Sequence, residues 1–176
     1  MKFGIISDTH DHLNAITRAI EIFRAHKVDR ILHCGDWVSP YSLGHFGALM
    51  ADWNIPVMSV LGNNEGDYRK IEKINSSLKN PVVFCDVSIL QFAVDDNRYA
   101  VYHGHDKPTL NALIRSKEYR AVFTGHTHVV RNEMAGKTVV LNPGSTSYFS
   151  DGKIVDVATV AVYDTSKNSA EIVLFK

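Results

Sequence analysis

Cysteine is scarce in this chain: Cys34 and Cys85 are the only two among 176 residues. They form no C-x-x-C pair and cannot found a disulfide framework, so a reducing, cytoplasmic setting is expected. Net charge is lacking too. Nineteen Lys and Arg balance nineteen Asp and Glu, which leaves no global basic field to draw in nucleic acid. That argues against a general nucleic-acid binder. It does not argue against a small phosphorylated substrate held through metal. No apolar run approaches the roughly 20 residues of a membrane span. Met1-Lys2 leads straight into a strand, without the apolar core of a signal peptide. There is no internal repeat, low-complexity tract or linker. The chain length implies one domain over 1–176 with room for a sizeable core.

What the chain does have is histidine, nine of them, and their placement matters more than their number. An apolar run over 3–6 stops at Ser7-Asp8-Thr9-His10. Residues i and i+2 of an extended strand point to one face, so Asp8 and His10 are expected to reach into one space. Alone, this reads as a strand end with a capping Asp and a solvated His. The rest of the chain repeats the device. Helical spacing of Leu13, Ile16, Ala19, Ile20 and Phe23 predicts a helix ending near 25–27. A strand over 30–33 runs into Gly35-Asp36. Ser39-Pro40 is an N-cap and first-turn pair opening a second helix. A strand over 57–61 stops at Gly62-Asn63-Asn64, and a charged helix over 67–78 ends before Asn80-Pro81. Strands over 82–84 and 87–94 follow, then a turn and a strand over 99–102 that stops at His103-Gly104-His105. Pro108 opens a further helix. A strand over 121–123 ends at Gly125-His126-Thr127-His128, and one over 138–141 at Asn142-Pro143-Gly144. A terminal hairpin covers 157–163 and 170–175.

Early alternation of strand and helix implies parallel pairing with right-handed crossovers, and the later hairpins add antiparallel strands. The expected fold class is α/β: either a layered domain around one mixed sheet, or two sheets packed face to face as a layered α/β/β/α sandwich of mixed sheets with helices on the outer faces. Five strands end in residues able to hold metal: Asp8 and His10, Asp36, Asn63, His103, and His126 with His128. Ligands bind beyond the carboxyl ends of strands in open α/β sheets, so these seven are expected to converge. Two carboxylates, one amide and four imidazoles suit manganese, iron, cobalt, nickel or zinc better than calcium or a thiolate zinc site. Seven donors exceed one tetrahedral ion and fit two ions sharing a carboxylate. Such pairs serve in-line attack on phosphorus.

In this order, Asp8-Thr9-His10, Gly35-Asp36, Gly62-Asn63, His103-Gly104-His105 and Gly125-His126-Thr127-His128 resemble the motifs of the calcineurin-like metallophosphoesterases, most closely a small prokaryotic phosphodiesterase branch without a cap domain. The resemblance covers nearly the whole chain and includes Asn142-Pro143-Gly144. It implies a cytoplasmic phosphodiesterase with two divalent ions, manganese foremost, and a hydroxide between them as nucleophile. Carried over by motif, Asp8, His10 and His128 hold one ion, Asn63, His103 and His126 the other, and Asp36 bridges. Two positions depart from the superfamily pattern. Ser39 stands where a second Asp is common. Asn64 stands where a His is common, and its amide can bond a phosphoryl oxygen but cannot protonate a leaving alkoxide as imidazolium can. Asn64 and His105, with Asp36, are the candidate catalytic contacts.

The remaining candidates carry less. His12 and His105 adjoin metal motifs. His33 is a packed residue behind them, and His26 and His45 are structural or solvated. Lys107 and Arg131 follow metal motifs and read either as solvated surface or as contacts to a phosphate. Cys34 needs an electropositive setting to react. Two other readings remain from the resemblance: a protein-binding scaffold like the retromer-subunit branch, and a phosphomonoesterase. A homo-oligomer stays open.

Overall fold

A computed structural model describes residues 1–85 and 88–176 of the chain. Apolar strands and amphipathic helices build two sheets packed face to face. The first runs β13-β12-β1-β2-β3-β4. Its centre is parallel: β1 (Lys2–Ile6), β2 (Arg30–His33), β3 (Val57–Ser59) and β4 (Val83–Phe84). The hairpin of β12 (Ala158–Asp164) and β13 (Ser169–Phe175) adds to β1 antiparallel. The second sheet runs β5-β6-β7-β9-β8. There β6 (Asn97–Tyr102), β7 (Ala121–Phe123) and β9 (Thr138–Asn142) are parallel, flanked by antiparallel β5 (Ile89–Val94) and β8 (Arg131–Ala135).

Alternation along the strands explains the layers. Phe3 and Ile5 face the second sheet and pack with Tyr99, Val101, Phe123 and Leu141. Ile6, on the opposite face, joins Ile31, Val57 and the helices. Those helices are α1 (Leu13–His26) and α2 (Pro40–Met50). In α1, Ala15, Ile16, Ala19, Ile20 and Phe23 form the buried stripe, and Lys27 closes the helix in the left-handed conformation. In α2, the Ser39 hydroxyl accepts from the Tyr41 amide and Pro40 occupies the first turn. Helix α3 (Tyr68–Ser77) packs beside α2. On the far side, α4 (Lys107–Ser116) covers Ala100, Tyr102 and Val122 with Leu113. The layers are therefore α/β/β/α.

Three expectations are corrected. β8, which reads Arg-Asn-Glu-Met-Ala, escaped notice because it is a largely exposed edge strand without a buried face. The two-residue strands β10 (Phe149–Ser150) and β11 (Lys153–Ile154) are too short for any periodicity. β3 stops at Ser59 rather than at 61, which leaves Val60 and Leu61 as the approach to Gly62. The strand expected over 87–94 is seen from Ile89 onward, while residue 87 lies outside the described residues. Among the described residues, no helix is long and apolar enough to cross a membrane.

Candidate metal centre

The parallel strands β1, β2 and β3 of one sheet, and β6 and β7 of the other, all deliver their C-terminal loops to one edge of the sandwich. Convergence there follows from topology. The local conformation is not the extended one expected from the spacing of Asp8 and His10. β1 ends at Ile6, and Asp8, His10, Asp36, His126 and His128 all have positive φ, between 40° and 68°. Such backbone is uncommon outside glycine and must be held by its surroundings. The Asp8 amide donates to Gly35, the Thr9 and His10 amides to the Asp36 carbonyl, and the His126 amide to both Asp8 carboxylate oxygens. Glycine is required where the loops touch. A Cβ on Gly62 would lie 2.0 Å from Asp36 Oδ1, and one on Gly35 2.8 Å from His103 Nδ1.

Asp36 sits at the centre, 1% exposed. Its Oδ2 lies 3.4 Å from His10 Nε2, and its Oδ1 lies 3.3 Å from His103 Nε2. On the Oδ2 side, His128 Nε2 is 3.2 Å from His10 Nε2 and 3.3 Å from Asp8 Oδ1. Asp8, His10, Asp36 and His128 each offer one donor atom, all within 4.8 Å of one another. On the Oδ1 side, His103 Nε2 is 3.0 Å from Asn63 Oδ1, and His126 sets its ring edge-to-face on His103 at 5.3 Å. All seven expected residues are thus brought together around one carboxylate.

The donor chemistry tests whether a cation fits. His128 Nδ1 donates to the Phe149 carbonyl at 2.9 Å, and His103 Nδ1 donates to the Cys34 carbonyl at 2.8 Å. In a neutral ring each Nε2 is then a bare lone pair aimed at carboxylate or amide oxygen. Lone pairs facing lone pairs on both sides of Asp36 require positive charge, from a proton or a metal ion. A mixed oxygen and nitrogen set of this kind suits a divalent transition ion.

The sequence comparisons agree with this geometry. Residues 1–168 match the calcineurin-like phosphoesterase superfamily domain. The chain belongs to that superfamily. It is 35% identical over 175 residues to the phosphodiesterase MJ0936 of Methanocaldococcus jannaschii, covering 99% of each chain. A solved archaeal phosphodiesterase superposes with a TM-score of 0.80 at 32% identity, with 99% of this chain and 100% of that one covered. A zinc-bound Vps29 from Entamoeba histolytica shares the fold, with a TM-score of 0.65 at 15% identity, covering 99% and 98% of the two chains.

Charge in the phosphoesterase site is set by these contacts. Burial works against the Asp36 charge, but hydrogen bonds from His10 and His103, the His103 charge and the Asn64 amide outweigh it and hold the carboxyl well below its usual range. Burial also opposes charge on His103 and His128. The bond to Asp36 raises the first, and the bond to Asp8 raises the second. His126 goes the other way, lowered by burial and by neighbouring His103. Burial, with Asp8 nearby, pushes the Cys34 thiol well up, so it is no thiolate nucleophile.

The other expected residues separate by position. Asn64 donates its backbone amide to Asp36 Oδ1 and its side-chain amide to Oδ2, both at 2.9 Å, so in this arrangement it steadies the central carboxylate. His105 is exposed at the rim, its ring 5.8 Å from that of His103 and 6.4 Å from that of His126. His33 is buried behind Asp36, stacked on Trp37 at 3.7 Å, and its Nδ1 accepts from the Gly35 amide. Burial and the His103 charge depress its pKa, so it packs as a neutral ring. His12 caps α1 and rests on Tyr148. His45 bonds Thr17, and Arg131 pairs with Glu133.

Two carboxylates that hold the loops around the centre were not singled out from the sequence. Glu65 Oε1 accepts from the amides of Asp36, Trp37 and Gly62, and Oε2 from that of Val38. Val38 has φ 71°, costly for a β-branched residue, and the Glu65 carboxylate holds the loop in that state. Asp11 Oδ1 accepts from the Ser39 amide and hydroxyl and from the Ser42 hydroxyl, so a carboxylate does stand at the N-terminus of α2 although position 39 is Ser. Glu65 directly follows the Asn63-Asn64 pair and Asp11 follows His10. That adjacency was the available signal. Asn142 completes the scaffold by donating to the Gly125 carbonyl and the Thr127 hydroxyl.

Proposed function

We propose that the protein is a metal-dependent phosphodiesterase using two divalent ions. The observation that carries this is the split of Asp36, one oxygen toward the Asp8, His10 and His128 group and the other toward His103 and Asn63. Asp8, His10 and His128 would hold one ion, Asn63, His103 and His126 the other, and Asp36 would bridge. Two such ions would supply charge for the phosphoryl oxygens and a hydroxide available near neutral pH for in-line attack. Manganese is the first candidate, with nickel, iron, cobalt and zinc as alternatives.

The chain's own groups do the rest. The carbonyls of Cys34 and Phe149 fix the tautomers of His103 and His128, so Nε2 faces the site. Asn64 and His105 border the open side, where the second N–H of the Asn64 amide and the His105 imidazole would meet the phosphoryl oxygens and the leaving group. Within the family, the name of the 35% identical relative supports a diester substrate. The full donor set favours an enzyme over a non-catalytic scaffold. Two free cysteines, Cys34 and Cys85, suit the cytoplasm.

A screen of 4-nitrophenyl diesters and monoesters with added manganese tests this reading, with elemental analysis of the loaded protein. Two ions per chain and faster diester than monoester hydrolysis are expected. One ion at saturation, or full turnover after exhaustive chelation, would overturn the two-metal assignment.

A further inference from the structure

Next to His128 the chain places an aromatic ring with no structural task of its own. His10, Asn64, His128, Ser147 and Phe149 line a cavity of about 420 Å³. Two of these are candidate metal ligands, two are small polar groups, and one is apolar. Phe149 is 41% exposed, and its ring meets the His128 ring edge-on, centroids 5.7 Å apart. Its backbone is pinned, because the Phe149 carbonyl accepts from His128 Nδ1 and the Ser150 hydroxyl donates to the His128 carbonyl. Any residue could supply that carbonyl. The aromatic side chain is therefore not explained by holding His128.

The preceding residue shows how the ring is aimed. Tyr148 has φ 55°, unusual for a bulky residue. It turns its own ring inward against His12 and Phe175, while Phe149 stays on the cavity side. Across the β10–β11 hairpin, Phe149 pairs with Ile154, which is 88% exposed. Directly paired residues of an antiparallel ladder share a face, so the hairpin carries an exposed apolar pair of which Phe149 lines the polar site. A lone exposed phenylalanine needs no explanation. One that walls the cavity containing the metal donors does.

We propose that Phe149 forms a subsite for a flat aromatic ester group on the phosphodiester, the group that stays on phosphorus when the other leaves. The inference rests on the phosphodiesterase reading. With the phosphate at the His10 and His128 side, a ring attached through one ester oxygen would enter the cavity that Phe149 lines. An alkyl ester of the same phosphate gains less, because it offers neither a π face nor comparable area.

Two diesters sharing one leaving group test this: 4-nitrophenyl phenyl phosphate and 4-nitrophenyl ethyl phosphate, each with saturating manganese. The wild type should favour the phenyl ester, mainly through KM. Phe149→Ala should cut that preference about tenfold, and Phe149→Trp should keep it. Calorimetric binding of phenylphosphonate and ethylphosphonate, which do not turn over, should show the same ratio. An unchanged preference in Phe149→Ala would overturn the proposal. So would an equal fall in kcat for both esters, which would mean that Phe149 serves only His128. Phe149→Leu replaces the alanine variant if circular dichroism shows that one unfolded. Release of no nitrophenolate from either ester by the wild type would instead remove the diesterase reading. Equal affinity for the two phosphonates would still overturn the subsite.

Discussion

The floor and the rim of the centre are built on different terms. On the floor, Asp8, Asp36 and His103 are buried, and each is tied to main-chain groups of another loop. At the rim, His105 and Phe149 keep exposed side chains, and Asn64 reaches down to Asp36 from an exposed loop. Charge that must be shared among several groups is placed where the backbone cannot yield. The side chains proposed to meet substrate sit where substitution costs the fold little. If this contrast is right, substitutions should lose metal affinity on the floor and selectivity at the rim.

The largest effect is expected at the centre of the floor. Asp36→Asn removes the charge facing both imidazole groups, and metal affinity and turnover should fall by more than the roughly 10–100-fold that an outer partner typically costs. A manganese titration by calorimetry, with a diester assay, measures both. A folded Asp36→Asn variant that loses less than this would break the central role of that carboxylate.

Glu65→Gln comes next. An amide can still accept hydrogen bonds, but it loses the charge that gathers four amides and holds Val38 at positive φ. Metal affinity should drop about 10–100-fold, with stability in urea lower by about 1–3 kcal/mol. Unchanged affinity with lowered stability would confine Glu65 to folding.

Acid sharpens the same contrast. His103 and His128 have raised pKa values in the metal-free fold. Their charged forms therefore stabilise that fold fully below the unfolded value of about 6.5, and the contribution is lost as pH rises through the raised values. Metal needs the neutral rings, so its affinity should begin to fall above pH ~6.5 as pH is lowered, by up to about tenfold per unit for each proton displaced. His126, lowered by burial and His103, should not contribute at that pH. Calorimetry across about pH 5.5 to 8 checks this, and a flat profile would contradict imidazole ligation.

Smallest is Ser39→Ala. Ser39 caps α2 and donates to Asp11, so its loss should cost about 1 kcal/mol in thermal or urea unfolding. Metal stoichiometry should be unchanged.

How much of this was legible follows from where each signal lies in the chain. The layers came from apolar runs and helical stripes such as Ala15 to Phe23, which are local. The meeting of Asp8, His10, Asp36, Asn63, His103, His126 and His128 was legible because each lies in the loop after a parallel strand and topology does the gathering. The left-handed backbone at Asp8 and His10 was not, because it depends on bonds to Gly35 and Asp36 in the next loop. Glu65 and Asp11 look like ordinary surface acids until their partners, nearly thirty residues away, are in view. β8 and the Phe149 hairpin carried too few apolar residues to announce themselves.

Asp8 and the His126–His128 loop touch across 118 residues. That separation sets the order in which the protein can become competent. A chain folded as far as the loop after β3 owns Asp8, His10, Asp36 and Asn63 but none of the imidazoles from the second sheet. Contacts so distant along the chain form late, since the entropy of closing long loops must be met first. The centre therefore matures only once the second sheet has docked on the first. Metal capture during refolding should lag the appearance of helical signal, and a partly folded chain should pass through the cell without a working site.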